Sequence, residues 1–144
     1  MFTVENYLGK LYQDSTDFGK FQKSNAKKLI DACTGLQAEL EAAGIHFHLN
    51  PNTGTTISGE GHGGFRDQAC TIGAPDSAHK QAEAVDRYDP DNDIDEYLWK
   101  NFNANPEDNL LVKYGIYIEA PSSTPGWSHW GIRKPGSGHH IFNP

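Results

Sequence analysis

The sequence predicts an α+β domain in which a small, mostly antiparallel sheet is flanked by helices. Two observations carry this expectation. An apolar stripe of Leu29, Cys33, Leu36, Leu40 and Ala43 recurs at helical spacing between Ser24 and Gly44. Late in the chain, Tyr114 to Glu119, Trp127 to Ile132 and His140 to Asn143 read as short strands separated by turns of Pro, Ser and Gly. No internal repeat, low-complexity tract or linker interrupts the 144 residues, so 1–144 is expected to form one domain with 1–24 as a lead-in.

The elements follow in order. Residues 1–24 carry Phe2, Tyr7, Tyr12, Phe18 and Phe21 among polar and glycine residues, which suits a short helix and an irregular lead-in. Ser24 then caps the main packing helix, Lys27 and Lys28 face outward, and Gly44 closes it. Ile45 to Asn50 alternates apolar residues with His46 and His48, the mark of a half-buried strand whose histidines share a solvated face. Pro51 to Gly54 is a turn, and Thr55 to Ser58 a second extended piece. Gly59 to Gly64 is glycine-rich but lacks the Lys-Ser/Thr end of a phosphate loop. Asp91-Asn92-Asp93 precedes apolar residues at 94, 98 and 102 and suits an acid-capped helix better than a calcium loop, which would need a central glycine and a terminal glutamate. Asn105-Pro106-Glu107 starts another helix, ended by Gly115.

Bulk properties narrow the function. The chain is 36% apolar and 22% charged, the composition of an ordinary globular protein whose core needs no structural metal. A net charge of −7 with scattered Lys and Arg argues against a nucleic-acid partner. Cys33 and Cys70 form no CxxC pair, so neither a thiolate zinc site nor a disulfide framework is indicated, and a single bridge between them is left open. The polar start, Met1 to Asn6, does not resemble a signal peptide, and no long apolar run occurs, so synthesis in the cytoplasm without membrane insertion is expected.

The chemistry concentrates in two stretches. Ser77 to Asp86 sets His79 and Asp86 among small side chains, and Trp127-Ser128-His129 adds a second imidazole. Two imidazoles and a carboxylate form a common set for a catalytic zinc, which keeps its fourth position for water. Three ligands on separate elements suit a rigid site.

These residues together resemble the M15 zinc peptidases, which include D-Ala-D-Ala carboxypeptidases and phage peptidoglycan endopeptidases. The family pattern is Ser-x-His-x-x-Gly-x-Ala-x-Asp, an upstream segment ending in arginine, and a late Trp-x-His. It is met by Ser77 to Asp86, by Gly64-Phe65-Arg66 and by Trp127 to His129. The likeness covers roughly residues 26 to 144, and the C-terminal run from Thr124 to Pro144 looks most like phage-borne members. It implies a Hedgehog/D-Ala-D-Ala-peptidase-like fold, Zn2+ held by His79, Asp86 and His129, Arg66 on a substrate carboxylate and Ser77 ordering the metal loop. It also implies hydrolysis of a D-amino-acid-containing peptidoglycan stem peptide, as in phage or prophage cell-wall lysis, after delivery or release or as a virion component.

Two positions depart from the pattern. Ala82 stands where the family has glycine, a change tolerated where the backbone does not need positive φ. Gly126 stands where many relatives carry the acidic general base, so Glu119 is the candidate base here, with Glu83 and Asp76 as further candidates. A chain without a working base would instead be a catalytically silent zinc-binding module, serving in wall binding or virion structure.

Overall fold

The computed structural model describes residues 2–144 as four helices against a four-stranded sheet. Helix α1 (Val4–Tyr12) is capped by Thr3, whose Oγ1 accepts from the Asn6 amide at 3.1 Å. It kinks at Gly9, where φ is +63°. Helix α2 (Lys20–Ala42) buries Ala26, Leu29, Cys33, Leu36 and Leu40 along one stripe. Its start lies upstream of the expected Ser24 cap, because the Gln22 side chain reaches back to the Gly19 amide and closes the first turn there.

The expected strand at Ile45 to Asn50 does not form. Phe47 and Asn50 turn inward and His46 outward, yet no strand runs alongside to pair with them. The Asn50 side chain instead donates to the carbonyls of Ile57 and Gly59, folding the segment into turns. From 55–58, only Ile57 pairs, as an isolated bridge to Arg87.

A single 3₁₀ turn, Ala78–Gln81, leads into β1 (Ala84–Tyr88). Helix α3 (Asp93–Ala104) follows, its amides at Ile94 and Asp95 accepted by the two carboxylate oxygens of Asp89, both at 3.1 Å. The acid-capped start is as expected, although the capping residue lies earlier in the chain. Helix α4 (Leu110–Tyr114) begins at the Asn109 cap and not at Pro106, because Asn105 Oδ1 holds the Glu107 and Asp108 amides in a turn. Gly115, at φ +64°, ends it as expected.

The remaining strands are β2 (Tyr117–Glu119), β3 (Trp127–Gly131) and β4 (Ile141–Phe142), in the order β1-β3-β2-β4. The sheet is mixed, which corrects the mostly antiparallel expectation. β3 runs antiparallel to both β1 and β2, but the chain then passes beyond β2 and reverses, so β4 lies parallel to β2.

Alternation along the strands gives the sheet two different faces. Val85, Arg87, Ser128, Trp130 and Ile118 point to the helix side and are fully buried. Burial of each large apolar side chain there contributes roughly 1.5–3 kcal/mol. Arg87 sits inside this core, its guanidinium 5.0 Å from the Phe2 and Phe47 rings and 4.8 Å from Trp130. The other face carries Asp86, His129, Glu119 and Tyr117. Both cysteines are free, and burial pushes the Cys33 thiol up to about 12. Among the described residues, no helix is long and apolar enough to cross a membrane.

Candidate metal centre and cleft

Strand register assembles the site. Asp86 of β1 pairs with His129 of β3, and one further step along the β2–β3 register brings Glu119 opposite His129 from the other side. Glu119 in turn pairs with Phe142 of β4. One row across the sheet therefore reads Asp86, His129, Glu119, Phe142, all on the same face. A slip of one residue would send any of these side chains into the core instead.

His79 arrives from the 3₁₀ turn. Ser77 caps that turn, its Oγ accepting from the His79 amide at 3.3 Å. The Gly63-Gly64 pair fixes the other side of the ring: a Cβ on Gly64 would stand 2.0 Å from the Tyr7 carbonyl oxygen, and one on Gly63 2.2 Å from that of Ser58. Glycine lets this loop press against α1, which sets the Gly64 carbonyl 2.7 Å from His79 Nδ1. A carbonyl only accepts, so Nδ1 carries the proton and Nε2 keeps its lone pair for the site. The glycine-rich loop is thus an orienting device for His79.

Ala82 ends the turn at φ +58° and ψ +37°. The backbone here does take the left-handed conformation that a glycine would adopt without strain. Alanine holds it at a cost of about 1 kcal/mol, while its methyl group is buried in the core.

The ligand atoms converge. Asp86 Oδ1 lies 3.3 Å from His79 Nε2 and 3.0 Å from His129 Nδ1. One donor atom from each of the three residues falls within 4.8 Å of the others, and the group could hold a metal ion. The donor set, two imidazole nitrogens and one carboxylate oxygen on three rigid elements, fits a divalent cation. Asp86 Oδ2 is bound by Arg66 Nη2 at 3.3 Å, an outer contact that fixes the carboxylate plane.

The electrostatics agree with this geometry. Burial opposes ionisation of Asp86, but the surrounding His79 and His129 outweigh it and hold the carboxyl well below its usual range. Burial likewise disfavours charge on His129, yet its hydrogen bond to Asp86 and the nearby Glu119 raise its pKa. Glu119 Oε2 stands 3.3 Å from His129 Nδ1, and burial, reinforced by the Asp86 charge, pushes its carboxyl up. A carboxylate at this distance from the candidate metal ligands is placed to carry a proton.

No protein-family model matches this chain, and neither a curated protein nor a solved structure matches it.

The sequence-predicted residues nonetheless meet in one place. Arg66, Ser77, His79, Asp86, Glu119 and His129 all line a single cleft of about 600 Å³. Glu83 and Asp76 do not line it: Arg133 clamps the Glu83 carboxylate at 3.0 and 3.2 Å and donates to the Asp76 backbone carbonyl. Of the three candidate bases only Glu119 is left facing the metal residues. Gly126, at φ +85°, holds a turn; its amide donates to Asn92 Oδ1.

Arg66 is more constrained than a free substrate clamp. Its Nε donates to the His62 carbonyl at 2.7 Å, Nη1 to the Ile72 carbonyl and Nη2 to Asp86. Two of its five N–H groups are left over. Sequence reasoning missed Gly64 as the partner of His79, Tyr117 and Phe142 as cleft walls, and Arg133 as the lock on Glu83. Only Tyr117 had a usable signal, two residues before Glu119 on the same strand and therefore on the same face.

Proposed function

We propose that this chain is a zinc-dependent peptidase of the M15 type, hydrolysing a D-amino-acid-containing peptidoglycan stem peptide in the service of phage or prophage cell-wall lysis. The observation that carries the reading is the convergence of His79, Asp86 and His129 in one cleft with Glu119 3.3 Å from His129. The resemblance to the Hedgehog/D-Ala-D-Ala-peptidase-like type rests on the motif residues, which meet on the sheet face and the turn before β1. The protein would be made in the cytoplasm and would meet the wall after delivery or release, or as part of a virion.

When bound, zinc would polarise a peptide carbonyl and acidify water. The rest is done by the protein. His79, Asp86 and His129 hold the ion, with Gly64 and Arg66 orienting two of them. Glu119 accepts a proton from the attacking water and returns it to the leaving amine, a role its place 3.3 Å from His129 allows. Arg66 lines the cleft, and its two spare N–H groups would hold a substrate carboxylate. Ser77 keeps the His79 turn closed.

Incubation of the zinc-loaded protein with purified peptidoglycan, followed by assay for new amino groups, tests this reading. Release that depends on zinc and on Glu119 is the expected result. Zinc bound without release would leave the silent zinc module in its place.

A further inference from the structure

A second cavity adjoins the metal cleft. It measures about 360 Å³, is lined by Ser58, Glu60 and His62 of the glycine-rich loop, and shares Arg66, Ile72, Asp86 and Trp127 with the first. The metal-holding carboxylate therefore stands in a wall common to two hollows and not at the end of one. A pocket built to take only a chain terminus needs an end wall beyond the reacting bond. Here the surface continues.

The loop on the far side is firmly placed. The Tyr12 hydroxyl lies 2.7 Å from His62 Nδ1, and the His62 backbone carbonyl accepts from Arg66 Nε at 2.7 Å. Asn50 Nδ2 donates to the Gly59 carbonyl at 2.8 Å, and the Gly63 carbonyl accepts from the Asp86 amide at 2.7 Å. The loop is thus tied directly to the strand that carries the metal ligand. With its Nδ1 engaged, the imidazole of His62 offers Nε2, and Ser58 and Glu60 offer a hydroxyl and a carboxylate. These are groups for hydrogen bonding to an extended polar chain.

Building on the peptidase reading, we propose that the substrate runs through both hollows. The Ser58–Gly63 loop, with His62 at its centre, binds the peptide on one side of the reacting bond, so the bond cut is internal and the activity is that of an endopeptidase.

The test uses the full, metal-free chain, so that binding is read without turnover. A capped stem pentapeptide of alternating L and D residues is titrated by calorimetry, together with versions shortened from each end. Shortening from either end is expected to weaken binding by about tenfold or more. His62→Ala should weaken the full peptide by a similar factor and leave one shortened series unaffected. Glu60→Ala, on an exposed part of the loop, should give the same one-sided loss with no risk to the fold.

Binding insensitive to shortening at one end, or no binding at all, overturns the two-sided groove, as does wild-type affinity in both variants for every peptide. With zinc present, mass spectrometry of the products separates this inference from the reading beneath it. Release of single terminal residues only would refute internal cleavage and leave a carboxypeptidase. Two-sided binding without any cleavage would leave the groove and remove the peptidase.

Discussion

Asp95 lies fully buried behind the sheet, where its Oδ2 accepts from Thr124 Oγ1 at 2.6 Å while Oδ1 has no partner. Burial pushes its carboxyl up to about 6 from an ordinary 3.8, against the pull of the Thr124 hydroxyl bonded to Oδ2, and the charges of Asp89 and Glu119 add to the rise. The folded state therefore holds this proton more tightly than the unfolded chain. The stabilisation is complete below the unfolded value and is lost as pH rises through about 6. The rise from 3.8 to about 6, at about 1.36 kcal/mol per tenfold change in proton affinity, gives about 3 kcal/mol. Asp95→Asn keeps the shape and cannot ionise. In urea unfolding of the metal-free protein, the stability of the variant relative to wild type should rise by about 2.4 kcal/mol between pH 4 and pH 8, the remainder of the loss falling below pH 4. A difference that does not change with pH would refute the reasoning, because it would mean that Asp95 titrates normally in the fold.

Three further outcomes are expected. Ala82→Gly should change stability by less than about 1 kcal/mol, since relief of left-handed strain is offset by the lost methyl group and the freer unfolded chain, whereas Ala82→Val should cost about 2 kcal/mol or more; thermal unfolding of both checks this. His79→Ala should abolish stoichiometric zinc binding in elemental analysis, with the fold preserved by circular dichroism. Arg66→Ala should lower zinc affinity by roughly 10–100-fold, because it frees the Asp86 carboxylate, and should also raise KM for stem peptide; an unchanged KM would remove its substrate role.

Much of this arrangement could be read from the residues alone, for reasons that differ by element. The stripe from Leu29 to Leu40 names a helix whatever surrounds it, because the period of the pattern is the period of the structure. The strands of β2 and β3 were legible too, but the register that sets Glu119 opposite His129 was not. His46 to Leu49 shows the limit: alternation specifies two faces but supplies no neighbour, and without one the segment is held by Asn50 in turns. Pro106 suits a first helical turn or an ordinary turn equally well, and Asn105 decided it. The parallel placement of β4 depends on where the chain passes after Gly131, which no local pattern encodes.

At the site, residue types were legible and their neighbours were not. His79, Asp86 and His129 are chemically conspicuous; the Gly64 carbonyl that orients His79 belongs to a residue with no side chain. Glu119 was the first choice among the acids, with Glu83 and Asp76 behind it, but only the Arg133 clamp on Glu83 and the position of Asp76 outside the cleft set the two aside. The demand for positive φ at Ala82 was likewise hidden, since alanine gives no sign of a left-handed backbone.

The central claim is that one cleft joins a zinc site to a working base. Wild type and Glu119→Gln, each loaded with zinc, should contain about one equivalent of metal by elemental analysis. On purified peptidoglycan only the wild type should release new amino groups at an appreciable rate, the variant being slower by roughly 10²–10⁴-fold. Equal release by the two proteins, or none from the zinc-loaded wild type, would contradict it.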